Sequence, residues 1–316
     1  MDYAGFSRSY LRWAIANVLF ELWEAFVTDI KEQRIEVNGL TIAYLQSGPS
    51  LSERELKPQR PPLVLLHGTG ESALDWKRVL PQLGAVHPVY AVDFPGTGHS
   101  SKPDRIYSID FLTRVAFDFL TALQLEPAVL VGNSLGGLVA LRLALTAPEK
   151  VAALILVDSA GLGRAVSPLL AQITLPGFGD VAIALTQNSL SAPVRVWARA
   201  ALLFANPLAA PPDWLKEQED LTCMPGFLAA NLSALRSFVG ITGQHLILLD
   251  DLPQLQMPTQ IIWGENDLVL PRYQADAAIA RLPQGQLDII PNAGHIPPLE
   301  QPDRFVKVAL SFLHQL

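Results

Sequence analysis

Short, unbroken apolar runs recur at residues 63–66, 89–92, 128–131 and 153–157. A strand with one wet face alternates apolar and polar residues, so a run without alternation must be covered on both faces. Sheets covered on both faces are built mainly from parallel strands joined by crossover helices. Helical patterns fill the gaps, at 110–123 and at 135–147, where Pro148 stops the second. Two more strands, 259–263 and 286–290, flank a helix at 273–280, and a last helix covers 302–316. Near the start, 34–37 and 40–46 alternate around Asn38-Gly39, a two-residue hairpin signal. The expected fold is α/β, a mainly parallel sheet with an antiparallel edge.

Between 161 and 253 the strand runs vanish, and helical segments are broken by Pro176, Pro193, Pro207, Pro211-Pro212 and Pro225. Charged residues number 12 in those 93 positions, a lower density than the 17% of the whole chain. This reads as a helical cap inserted into the α/β unit, with an apolar face toward the sheet. The expected organisation is an N-terminal amphipathic helix at 1–33, core at 34–160, cap at 161–253 and core again at 254–316. The N-terminal pattern, 10–31, is apolar over most of a helical wheel and has a narrow, mainly acidic strip. Packing on the same chain or on a second copy is expected for it. Membrane contact is the alternative, disfavoured because surface-lying helices carry Lys and Arg on the polar face.

The balance of 23 basic against 30 acidic residues, net −7, excludes a nucleic-acid partner in the absence of any basic cluster. The single cysteine, Cys223, allows neither an internal disulfide nor a Cys-rich metal site, and is expected to be small and buried. No metal or cofactor is implied: Gly96-Thr97-Gly98 reads as a tight turn, not a phosphate cradle. No window supplies the ~18 apolar residues of a membrane span, and no cleavable signal is recognisable, so a cytoplasmic location is expected.

The most informative motif is Gly132-Asn133-Ser134-Leu135-Gly136-Gly137, which follows an apolar strand and opens a helix. In that setting G-x-S-x-G forms a turn so sharp that its flanks must lack side chains, holding the serine above the sheet at a helix N-terminus. A serine hydroxyl needs a base, and the base needs an orienting acid. Asp267 follows the strand at 259–263, and His295 follows the one at 286–290. Both stand at carboxyl ends of strands, where open α/β sheets carry their sites, and the order Ser134, Asp267, His295 is that of such elbows. Asp158 and, more weakly, Glu265 are rival acids. His67 and His99 sit in glycine turns and read as structural, while His87, His245 and His314 read as solvated or cap residues. An oxyanion needs two backbone donors. Leu135, after the serine, supplies one, and the loop His67-Gly68-Thr69-Gly70 the other, with Thr69 preferred to Gly70. Gly68, Trp197, Phe204, Phe238 and Ile296 are candidates for the substrate pocket. Phe178, Trp214 and Phe227 are further cap aromatics, and Arg195, Arg199 and Arg236 are cations that suit a substrate carboxylate.

Together these pieces resemble the α/β-hydrolase family. They are 66–70, 93–100, the elbow, 263–267 and 293–297. The resemblance covers about residues 34–316 and implies an eight-stranded sheet, a helical cap and a cofactor-free serine hydrolase. The Gly-Asn-Ser-x-Gly-Gly elbow is similar to those of carbon–carbon bond hydrolases and some esterases. The former carry an aromatic directly after the histidine, where this chain has Ile296. The expected substrate is a small, largely apolar ester, in a protein that can form a homo-oligomer. Carbon–carbon cleavage, perhydrolysis or acyl transfer by the same residues, and ligand sensing by a hydrolase-fold receptor, are the alternatives.

Overall fold

The structure, a computed structural model, describes residues 30–48 and 60–316. The expected N-terminal helix lies outside these residues apart from its last positions, 30–33, where Lys31 opens a strand instead. In chain order the first half runs β1 (Lys31–Val37), β2 (Leu40–Ser47), β3 (Leu63–Leu66), α1 (Leu80–Gly84), β4 (Val89–Val92), α2 (Ile109–Ala122), β5 (Ala128–Asn133), α3 (Leu135–Thr146) and β6 (Val151–Val157). After an insertion come β9 (Thr259–Gly264), α9 (Tyr273–Ile279), β10 (Gly285–Ile290), α10 (Pro297–Glu300) and α11 (Pro302–Leu313). The insertion holds α4 (Pro168–Ile173), α5 (Phe178–Thr186), α6 (Ala192–Leu203), α7 (Pro212–Cys223) and α8 (Phe227–Arg236). Its only strands among the described residues are the two-residue pair β7 (Val239–Gly240) and β8 (Gly243–Gln244).

Eight strands form one sheet in the order β1-β2-β4-β3-β5-β6-β9-β10. Every pairing from β4 to β10 is parallel, while β2 is antiparallel to both β1 and β4. The antiparallel strand is therefore second from the edge, and β1 at the edge again runs with the rest. The hairpin turns at Asn38 and Gly39, both with positive φ, and pairs Val37 with Leu40.

The unbroken apolar runs have the cause expected of them. Val64, Leu66, Leu130, Leu154, Leu156 and Ile261 point into one core layer with residues of α2 and α3. Their neighbours Leu63, Leu65, Val129, Val131, Ile155 and Ile262 point into the other, with Trp76, Phe305 and Phe312. Burying a side chain of this size contributes roughly 1.5–3 kcal/mol, so a polar residue in these runs would be costly on either face. The strands end at one level, and the loops after β3, β5, β6, β9 and β10 meet there beneath the inserted helices.

Two local expectations are corrected. His87 is buried, not solvated: it precedes β4, and its Nδ1 lies 3.0 Å from the Pro61 carbonyl ahead of β3. Cys223 is exposed, since it is the last residue of α7 and lies off the face that packs on the core. No helix among the described residues is long and apolar enough to cross a membrane.

Candidate active site

The turn between β5 and α3 is made by one residue. Ser134 has φ 53° and ψ −114°, a region that costs a side-chain-bearing residue roughly 1–3 kcal/mol. The surroundings enforce it: Ser134 N donates to Val157 O at 3.0 Å, and its carbonyl accepts from Leu138 N and Ala160 N at 3.1 and 3.0 Å. A Cβ on Gly132 would stand 2.3 Å from Gly136 O, and one on Gly136 would stand 2.1 Å from Leu66 O. The glycines are thus dictated by backbone approaching backbone.

His295 and Asp267 arrive from the neighbouring strand ends. His295 Nδ1 and Asp267 Oδ2 are 2.8 Å apart, with both side chains sealed from solvent. The other carboxylate oxygen, Oδ1, accepts from Val269 N and Leu270 N at 2.7 and 3.1 Å, so the carboxylate is aimed by its own loop. Burial alone would depress the His295 pKa. The charge of Asp267 and its hydrogen bond outweigh burial and leave the pKa above 6.5. Ser134 and His295 line the same cavity, although no hydrogen bond joins the serine hydroxyl to the ring in this arrangement.

Asp158, the rival acid, lies directly behind this pair. It is fully buried, its Oδ1 accepts from Gly264 N at 2.8 Å, and its Oδ2 has no partner. Burial, reinforced by the Asp267 charge, pushes its pKa well above the ordinary carboxylate range. Glu265 is exposed and turned to the Asn292 amide. Ligand atoms of Asp158, Asp267 and His295 lie within 4.8 Å of one another. A metal would nevertheless have to displace the hydrogen bonds that already occupy Asp267.

In the loop after β3 two of the three amides are already engaged. Gly68 N donates to Glu71 Oε2 at 2.8 Å, and Gly70 N to Asn231 Oδ1 at 2.6 Å. The Thr69 amide between them has no backbone acceptor, and Thr69 lines the cavity beside Ser134. Leu135 N, at the first turn of α3, has none either. Arg199 braces this loop, its Nη2 donating to Thr69 O at 2.6 Å and to Glu71 Oε1 at 3.2 Å. Glu71 is 1% exposed. Removing the partner of such a buried charge costs roughly 3 kcal/mol or more, which marks Arg199 as a structural brace. His67 is structural as expected: Nδ1 faces Gly68 O at 2.7 Å, Nε2 accepts from Phe94 N, and burial lowers its pKa.

The cavity holds about 340 Å³ and is walled mainly by apolar residues of the insertion, among them Leu170, Ile173, Leu202, Phe227, Leu232 and Leu235. Of the five pocket candidates only Phe238 lines it. Trp197 is turned outward and 44% exposed, opposite the face of α6 that carries Arg195 and Arg199. Phe204 packs edge-on against Trp214 at 4.8 Å, and Trp214 is fixed by its Nε1 on Asp75 Oδ1. Gly68 and Ile296 lie behind the wall, Ile296 beside His67 and Asn133. Arg236 faces Asp180 on the outside of the insertion, whereas Arg195 and Arg199 do reach the cavity.

Two positioning residues have no local signature. Asn133 Nδ2 donates to His295 O at 3.0 Å, tying the elbow to the histidine loop. Glu300 accepts from Gly294 N and Ala205 N, both at 2.7 Å, and so clamps the histidine loop to the end of α6. Burial pushes its pKa up to about 7 against these hydrogen bonds.

An eight-stranded, mainly parallel sheet with a glycine-flanked serine at its centre, an Asp–His pair at the next strand ends and inserted helices above defines an α/β hydrolase. The alpha/beta hydrolase family model matches residues 63–308, and the chain belongs to that family. It is 34% identical over 261 residues to an uncharacterised protein of Mycobacterium tuberculosis, covering 80% of this chain and 75% of the relative. It is 28% identical to a 2-hydroxy-6-oxo-6-(2'-aminophenyl)hexa-2,4-dienoic acid hydrolase of Metapseudomonas resinovorans, covering 89% and 90% of the two chains. Among solved structures, a bacterial membrane phospholipase A superposes with a TM-score of 0.73 at 26% identity, over 100% of this chain and 99% of the other.

Proposed function

We propose that the chain is a serine hydrolase that cleaves a carboxylic ester of largely apolar character through an acyl-enzyme. The observation that carries this reading is the buried Asp267–His295 pair opening onto the same apolar cavity as the strained Ser134. Ser134 Oγ attacks the ester carbonyl as His295 Nε2 takes its proton, closing the contact on substrate binding as such sites commonly do. Asp267 holds the Nδ1–H and stabilises the imidazolium. The Leu135 and Thr69 amides receive the developing oxyanion, a type of contact whose loss costs ~10²–10³ in turnover. His295 then protonates the departing alkoxide and activates the water that releases the acid. The phospholipase relative supports an ester as the bond cleaved. The hydrolase from Metapseudomonas keeps a second reading open, the same three residues cleaving a carbon–carbon bond.

The base must be neutral to accept a proton, and the His295 pKa is raised above 6.5. Hydrolysis of medium-chain p-nitrophenyl esters is therefore expected to rise with pH, with the midpoint of the acid limb above 6.5. A limb centred near pH 4–5 would assign the titration to a carboxylate and sink the histidine-base reading. No ester turnover, with release of a carboxylic acid and a hydroxydienoate fragment from a 6-oxo-dienoate substrate, would favour the second.

A further inference from the structure

The apolar cavity has a polar pole that the proposed ester chemistry does not use. Arg195 on α6 and Gln218 on α7 both line it. Gln218 is 0% exposed, and neither atom of its amide has a partner. In Arg195, Nε and Nη2 are closed to solvent and unpartnered, while Nη1 makes only a 3.3 Å contact with Ser191 Oγ. Nε and Nη2 share one edge of the guanidinium, the fork that receives two oxygens of a carboxylate side by side. Among the described residues Arg195 takes part in no ion pair, in contrast to Arg199 and Arg236. Burial lowers its pKa, with only the Cys223 thiol acting against it. Buried polar groups in native proteins are nearly always hydrogen-bonded, so four such atoms beside a cavity, two of one amide and two of one guanidinium edge, call for a ligand.

Along α6 the pole lies N-terminal to the residues that meet the reaction centre. Leu203, at the end of α6, receives the His295 N–H at 2.7 Å, and Arg199 reaches Thr69 O. Arg195 lies one helical turn before Arg199 and two before Leu203, about 12 Å along the axis at 1.5 Å per residue. The cavity walls are otherwise mostly apolar, Leu202 and Phe227 among them. We propose, building on the serine-ester reading, that the pocket takes esters whose apolar chain ends in a carboxylate, gripped side-on by Arg195 Nε and Nη2 with the Gln218 amide beside them.

The test is a length series of p-nitrophenyl esters of linear acids, each offered with a methyl end and with a carboxylate end. The ratio of kcat/KM, carboxylate over methyl, is expected to peak above unity at one chain length. Arg195→Met should lower that ratio about 10–100-fold, the worth of hydrogen bonds to a charged group. Arg195→Lys, which keeps the charge and loses the fork, should recover only part of it. Lys216→Met, which removes an exposed charge on α7, should leave the ratio at its wild-type value and so exclude a general field effect. A ratio at or below unity at every length, or one unmoved by Arg195→Met in a protein that still unfolds cooperatively, overturns the proposal. Should no ester turn over, the serine-ester reading fails by itself, and calorimetry with linear dicarboxylates still reads the fork. Binding that Arg195→Met abolishes supports it, and binding that is absent or independent of Arg195 defeats it.

Discussion

Ser134→Ala is expected to lower kcat for p-nitrophenyl ester hydrolysis by roughly 10⁴–10⁶-fold, since nucleophile and base act as a unit. The fold should not suffer. The Ser134 hydroxyl makes no hydrogen bond among the described residues, and the contacts that hold the turn come from its backbone N–H and carbonyl. Alanine keeps the same Cβ at the same positive φ, so the strain is already present in the wild type. The cavity and the two amide donors remain, and substrate binding with it, so KM should change far less than kcat. A variant with near-wild-type turnover would show that the elbow is only a structural turn.

Asp267→Asn is expected to reduce kcat by about 10⁴-fold, because it puts the histidine in the wrong tautomer. The loop geometry explains why. Oδ1 is held by two backbone donors, Val269 N and Leu270 N, which only an oxygen can accept. An asparagine side chain must place its carbonyl oxygen there, and its NH₂ group then faces His295 Nδ1 at the position of Oδ2. The ring must accept at Nδ1 and carry its proton at Nε2, where it can no longer take one from Ser134. Asp158→Asn should behave differently. Burial and the Asp267 charge disfavour the ionised form of Asp158, its Oδ1 accepts from Gly264 N, and an amide reproduces that shape. A loss below about tenfold is expected, against the unit-by-unit cost of ~1.4 kcal/mol per factor of ten. The reverse ranking, measured as kcat in the two variants, would transfer the orienting role to Asp158.

The sheet was legible because burial on both faces leaves a direct trace, an apolar run without alternation, as in 63–66 and 153–157. The elbow was legible because two backbone clashes require glycine at 132 and 136. The lining of the cavity was not legible, and α6 shows the reason. Its apolar residues surround most of the helix, so periodicity could not reveal that Arg195, Arg199 and Leu202 face inward while Trp197 faces out. Aromatic size suggested Trp197 and Phe204 as pocket walls, but Phe204 is taken up by Trp214, itself drawn inward by Asp75. Asn133 and Glu300 act across contacts that join distant parts of the chain, His295 O for one and Ala205 N for the other, and no local pattern announces them. The Gly70 amide is engaged by Asn231, supplied by α8, another contact that no local pattern announces.

The most direct measurement is the mass of the covalent intermediate. The protein is mixed with a medium-chain p-nitrophenyl ester, quenched in acid during the first turnover, digested and analysed by peptide mass. An acyl increment on the peptide that contains Ser134, absent in Ser134→Ala, is the expected result. Turnover with no acyl adduct, or an adduct on another residue such as the exposed Cys223, would contradict the assignment of Ser134 as the nucleophile.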